Sequence, residues 1–168
     1  MRNLVRDMKF RELLKNFFLN FYLIILIFFL DRISKYLILE YFEHSINQNI
    51  IINSFLSFNL LWNDGIAFGL LQFDQKLFYN LVTLLIFLIL IIVGKFASNS
   101  KGIEKICYLM ILGGGFGNLF DRLYYGSVVD FIDLNYNNFH WFIFNVADMF
   151  ITIGILILII SEFIKKND

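Results

Sequence analysis

The sequence predicts an all-α polytopic membrane protein: four transmembrane helices, a small β element outside the membrane, and an outer loop between helices three and four. Three observations carry that prediction. The 168 residues are 59% hydrophobic and 19% aromatic with no proline, at a mean hydropathy of +0.70, whereas soluble domains are roughly 45–50% apolar. A soluble core this small could not hide so much apolar surface. Four apolar stretches, near 17–39, 77–93, 103–123 and 142–160, each approach the roughly 17–25 helical residues that cross a hydrocarbon core. Ten of the fourteen Lys and Arg residues lie before the first stretch, around the junction of the second and third, or after the fourth, all on one side of a four-span chain.

The first stretch follows a basic N-terminal segment and has the look of a signal peptide. It runs into "DRISKYLILEYF" with no small-residue cleavage site, and is expected to be a retained helix. Arg2, Arg6, Lys9, Arg11 and Lys15 precede it; Lys95, Lys101 and Lys105 flank the junction of helices two and three; Lys165 and Lys166 follow helix four. The positive-inside rule assigns that side to the cytoplasm, so both termini are expected inside. The segments near 40–76 and 124–141 then face outward, with Lys76 as their one basic residue. No repeat or low-complexity linker divides the chain, and residues 1–168 are expected to form one membrane-embedded domain.

The first outer segment, "NIIINSFLSFNLLWNDGIAFGLL", breaks short apolar runs with Asn and Ser and carries the turn-forming "NDG". Two or three strands on the membrane's outer surface are expected there. The second, "YYGSVVDFIDLNYNNFHWFIF", is aromatic as an interfacial belt is, and reads as a short helix or turn lying on the membrane.

Helix four opens as "FNVADMFITIGILILII", placing an amide and a carboxylate where the chain enters lipid. An ionised carboxylate at the bilayer centre costs about 2.5–3.5 kcal/mol even on lenient scales. Helix three runs outward and helix four returns inward, so Asp130 and Asp148 flank the same outer loop. Asn145 and Asp148, three apart, share a helical face. Two carboxylates in a partly dry setting share a proton. One then acts as base toward water while the other donates to a carbonyl oxygen. The plainer reading is that Asp148 caps helix four and Asp130 is a solvated loop acid.

Helix three carries "GGGFGNLFDR". Gly113, Gly114, Gly115 and Gly117 leave it thin enough for close helix packing. Asn118, Asp121 and Arg122 lie close enough on the helix to form one polar cluster, read as a structural brace. Cys107 is a lone cysteine expected in the core. It lies near the inner end of helix three, far from the outer His44 and His140, which excludes a Cys–His pair. Ser34 and Lys35 are adjacent and diverge on a helix, and the histidines lack metal-ligand spacing. Zero formal net charge gives no field for nucleic acid.

Taken in order, "GNLFDR", "VVDF" and "FNVAD" resemble the signature of signal peptidase II, the lipoprotein signal peptidase family of four-helix membrane aspartyl proteases. "DRISK" resembles that family's D-x-x-x-K near the outer end of helix one, and "NDGIAFG" its N-x-G-x-A-F box. The resemblance spans about residues 17–164. It implies Asp130 and Asp148 as the catalytic pair, with Asp31, Lys35, Asn63, Gly65, Asn118, Asp121, Arg122, Asn145 and Ala147 as supporting or substrate-binding residues. It also implies an extracytoplasmic β-cradle and cleavage of prolipoproteins before a diacylglyceryl-modified cysteine, without metal or cofactor. A monomer in the bacterial inner membrane follows, its active site facing outward and its partners lipids and prolipoproteins. Arg32 stands where the family more often has Gln, no Pro precedes "FN", and Met149 follows Asp148 where a small residue is frequent. A small transporter relaying protons or cations through the same acids is the alternative class.

Overall fold

The computed structural model describes residues 2–46, 49–65, 75–137 and 139–167. Its elements run α1 (Arg2–His44), β1 (Asn49–Ile51), β2 (Leu56–Asn63), α2 (Gln75–Asn99), α3 (Gly102–Tyr124), β3 (Val128–Tyr136), β4 (Phe139–Phe144) and α4 (Val146–Asn167). Of "NDGIAFG", residues 66–69 lie outside the described residues.

Helix α3 packs against each of the other three helices, and its glycines explain how. A Cβ on Gly113 would sit 2.8 Å from Ile27 Cβ on α1, and one on Gly114 would sit 2.5 Å from the Ala147 carbonyl oxygen on α4; one on Gly115 would strike Leu90 on α2. Three consecutive small residues thus face three different neighbours, and helix-to-helix contact is backbone-close. The apolar core between α2 and α3 is built from Leu90, Ala97, Leu109, Leu112 and Leu119.

The outward faces are apolar. Leu81, Leu85, Leu88 and Ile92 of α2 are each about half exposed, a surface that water does not tolerate at this extent. By length and composition α2 and α4 suffice to cross a bilayer. Helix α1 carries Asp31, Arg32 and Lys35, and these pair inside the bundle with Asp121 in the last turn of α3.

The four strands form one antiparallel sheet in the order β1-β2-β3-β4. Phe131 and Phe58 pack it onto Ile38 and Phe42 near the C-terminal end of α1. The expectation of a short helix or turn across 124–141 is therefore corrected. After α3, Gly126 turns the chain at φ 78, and β3 and β4 pair from Ile132↔Phe144 to Tyr136↔Phe139 around Asn137, itself at φ 49. Aromatic and β-branched residues favour the pleated surface over a helix here. For the same reason α4 begins at Val146 and not near 142: Phe142–Phe144 belong to β4, and an apolar strand end is indistinguishable in hydropathy from an apolar helix start. Strands β1 and β2 meet the expectation for the first outer segment, with a register shift between Phe58 and Leu61.

Candidate active site

Strand β3 holds Asp130 opposite Leu61 of β2, and its side chain is buried. Asn63, at the end of β2, donates from Nδ2 to Asp130 Oδ2 at 2.8 Å. That amide has its orientation fixed at the other end, where Gly65 N–H donates to Asn63 Oδ1 at 2.8 Å. Gly65 adopts φ +71, a backbone conformation that selects glycine, and lies against the guanidinium end of Arg122.

Asn145 is the single residue between β4 and α4. Its Oδ1 accepts the Asp148 backbone N–H at 3.0 Å, and Asp148 Oδ2 accepts the Asn145 N–H at 3.2 Å. This is a capping box built from Asn and Asp. The Asn145 side-chain Nδ2 remains and donates to Asp130 Oδ1 at 2.6 Å. Asn145 therefore bridges the two carboxylates; among the described residues they are joined through it and not by a direct hydrogen bond. Asp148 Oδ1 accepts from Asn118 Nδ2 at 2.7 Å.

Burial pushes the Asp130 carboxyl up from 3.8 to about 6. The Asn63 and Asn145 hydrogen bonds and the Lys35 charge oppose that rise, while the nearby Asp148 charge adds to it. A group poised there can hold a proton near neutrality, as a general acid must.

Beneath the pair lies a charged cluster. Lys35 Nζ stands 2.9 Å from Asp31 Oδ2 and 2.7 Å from Asp121 Oδ2. Arg32 bonds the same two acids and lies over the Phe120 ring at 4.9 Å. Two cations against two anions leave the cluster neutral, as burial demands. Its ties reach both partners of the site. Asp31 Oδ1 accepts the Ala147 N–H at 3.0 Å, and Asp121 Oδ2 accepts the Val129 N–H at 3.2 Å, so the brace holds the start of α4 and the strand carrying Asp130.

The brace expected from Asn118, Asp121 and Arg122 is thus regrouped. Asp121 belongs to it with Asp31, Arg32 and Lys35. Asn118 bonds Asp148 and Lys35 instead, because a helix turn points it toward α4 and not along α3. Arg122 is placed by Tyr79, whose ring it covers at 5.2 Å, and faces Gly65. Arg32 was not a candidate, although its opposite charge beside Asp31 was the available signal. The departure from Gln at that position is absorbed by the cluster.

Other residues stand apart. Cys107 is buried in α3, and Ser34 donates to the Asp31 carbonyl oxygen at 2.8 Å. On the opposite face of the sheet from Asp130, His140 Nδ1 sits 2.6 Å from Asp133 Oδ2, which Ser57 also reaches at 3.2 Å. No sequence signal marked that cluster. Among the described residues, no three His, Cys, Asp or Glu side chains gather as metal ligands.

A sequence profile described as "Signal peptidase (SPase) II" matches residues 23–164. The chain belongs to the signal peptidase II family. A Lipoprotein signal peptidase of Pelagibacter ubique is 46% identical over 154 residues, covering 92% of this chain and 93% of that protein. One from Francisella tularensis subsp. novicida is 37% identical over 151 residues, covering 88% and 92%. A solved structure described as "Bacterial membrane enzyme structure by the in meso method at 1.9 A resolution" superposes with a TM-score of 0.71 at 29% identity, covering 84% of this chain and 90% of that one. A second, at 2.3 Å, gives 0.69 at 28% identity, covering 88% of each. Membership in the signal peptidase II family makes the chain a membrane protease, and these relatives lend no support to the transporter alternative.

Proposed function

We propose that this signal peptidase II family member is a lipoprotein signal peptidase that cuts prolipoproteins on the N-terminal side of a diacylglyceryl-modified cysteine, with Asp130 and Asp148 as its catalytic pair. The observation that carries the reading is Asn145, whose side chain and backbone donate to one carboxylate each. That arrangement holds two acids from a strand and a helix at one spot.

The ionised member takes a proton from water as the oxygen attacks the scissile carbonyl. The neutral member donates a hydrogen bond to the carbonyl oxygen as negative charge gathers there. Collapse of the tetrahedral intermediate breaks the C–N bond, and the proton passes to the leaving nitrogen. Asn63, Asn118 and Asn145 hold the carboxylates in place by donor hydrogen bonds. Lys35 holds the Asn118 amide, Asp31 holds the α4 start through the Ala147 N–H and Asp121 holds β3 through the Val129 N–H, while Gly65 holds the Asn63 amide and Arg122 borders the site. No step requires a metal or cofactor.

All four helices cross the bacterial inner membrane as a single-domain monomer, with both termini cytoplasmic and the pair at the outer interface. The Asp31, Arg32, Lys35 and Asp121 charges are tolerable at that depth because they neutralise one another. The signal peptide's apolar half lies among the helices and the lipidated cysteine stays at headgroup level. Purified protein in phospholipid nanodiscs should release the signal peptide from a diacylglyceryl-modified prolipoprotein and leave the unmodified precursor intact. Equal cleavage of both precursors, or of neither, would overturn the reading.

A further inference from the structure

Each of the three asparagine amides at the carboxylate pair is held at its far end. Asn63 Oδ1 accepts the Gly65 N–H and Asn145 Oδ1 accepts the Asp148 N–H; both holds are neutral backbone groups within three residues. Asn118 differs. Its Oδ1 accepts from Lys35 Nζ at 2.9 Å, across 83 positions of sequence and from another helix.

Lys35 is 1% exposed, and its ammonium has three protons for three acceptors: Asp31, Asp121 and Asn118. An ammonium has no lone pair, so the end of the Asn118 amide that meets it must be the oxygen. The NH2 end is then the one that meets Asp148 Oδ1 at 2.7 Å. A flipped amide would set NH2 against the cation and oxygen against the carboxylate, two repulsions in a dry site where neither is screened.

We propose that Lys35 is a positioning residue for the carboxylate pair: by holding Asn118 Oδ1, it keeps Asn118 Nδ2 donating to Asp148 and so fixes that carboxylate as an acceptor facing Asp130. This rests on the catalytic pair proposed above. The competing role is purely structural, as one cation of the brace, and Arg32 separates the two. Arg32 bonds the same acids, Asp31 and Asp121, yet its described hydrogen bonds include none to Asn118.

The experiment compares the full chain in phospholipid nanodiscs with Lys35→Gln, Lys35→Arg and Arg32→Gln, using a diacylglyceryl-modified prolipoprotein as probe. A Gln can donate or accept, so Lys35→Gln frees the amide to flip; it should lower kcat at least about tenfold with KM within about twofold, and shift the acid limb of the kcat profile to higher pH. Lys35→Arg, which can only donate, should keep the limb in place. Arg32→Gln should lower the thermal midpoint and keep the parental profile. A parental pH profile in Lys35→Gln, or an equal shift in Arg32→Gln, would overturn the assignment. Should Lys35→Gln not insert, Asp31→Asn/Lys35→Gln keeps the cluster neutral and is judged by the same limb against Asp31→Asn alone. A second readout stands independent of cleavage. With 15N-labelled asparagine, the Asn118 side-chain amide protons should resist exchange in the parental chain and in Arg32→Gln, and exchange faster in Lys35→Gln. Unchanged exchange in Lys35→Gln refutes the lock even if the parental chain cleaves nothing, an outcome that by itself would refute the proposed function instead.

Discussion

Asn145 and Asp148 cap each other: the Asn145 side-chain oxygen accepts the Asp148 N–H at 3.0 Å, and the Asp148 carboxylate accepts the Asn145 N–H at 3.2 Å. The capping and catalytic readings of Asp148 are therefore not alternatives. One carboxylate oxygen closes the first turn of α4 and the other is held by Asn118, and the fold that needs the cap sets the geometry of the pair.

Asp130→Asn and Asp148→Asn should each reduce cleavage of a lipidated precursor by several orders of magnitude, and the double variant should be scarcely worse than either alone. Residues acting as one unit lose activity non-additively. Single-turnover rates on folded, inserted variants provide the check; near-parental cleavage by either would remove that residue from the chemistry.

Cleavage efficiency should fall as pH rises through about 6, where Asp130 loses its proton. Loss of that proton takes away the hydrogen-bond donor that Asp130 offers to the carbonyl oxygen. The profile of kcat/KM, which reports the free enzyme, should be bell-shaped with macroscopic values belonging to the pair. A flat profile from pH 5 to 8 is the contrary result.

The same displacement predicts a stability effect of definite sign. With the folded value near 6 and the ordinary value at 3.8, the folded chain binds the Asp130 proton more tightly than the unfolded chain. Stability then falls as pH rises between those values and stays lowered above them. Asp130→Asn should accordingly raise the thermal midpoint at pH 7.5, corresponding to at most about 3 kcal/mol, with no gain left near pH 4. Loss of stability at pH 7.5 would show that the Asn63 and Asn145 hydrogen bonds to the ionised form outweigh its burial.

Gly114→Ala tests the α3–α4 contact. Its Cβ would lie 2.5 Å from the Ala147 carbonyl oxygen, and a backbone atom has no rotamer by which to retreat. Moving α4 outward should cost about 1–3 kcal/mol and carry Asp148 off its partners, so thermal midpoint and kcat should fall together. Gly94→Ala, which meets nothing within 4 Å, is the neutral comparison.

Reporter fusions test the four-span orientation. A reporter after Asp168 or in the 95–105 region should read cytoplasm, and one at Asn137 should read outside, following the charge asymmetry. An outside signal from the C-terminus would leave an odd number of crossings.

Much of the site was legible because helix direction alternates. Parity put Asp130 and Asp148 on one side before any contact was known, and the helix-three glycines announced close packing. Strand β4 was not legible, since Phe142–Phe144 extend the apolar run of α4 and only Asn145 marks the boundary. The partner of Asn118 was hidden for another reason. Its local neighbours Asp121 and Arg122 were visible in sequence, whereas Lys35 and Asp148 are 83 and 30 positions away. The Asp133–His140 pair lies in strands whose aromatic composition reads as a short helix or turn on the membrane surface.

The single-residue junction at Asn145 makes chain length itself a constraint. An α-helix turns about 100° per residue, so one residue inserted between Phe144 and Val146 would swing Asp148 roughly a quarter turn from Asp130 without altering a single side chain. An insertion at the Asn137 turn leaves the Ile132↔Phe144 register intact and only lengthens a hairpin tip. Among descendants of this sequence, gaps should accumulate at that tip and be purged from the few residues beyond it.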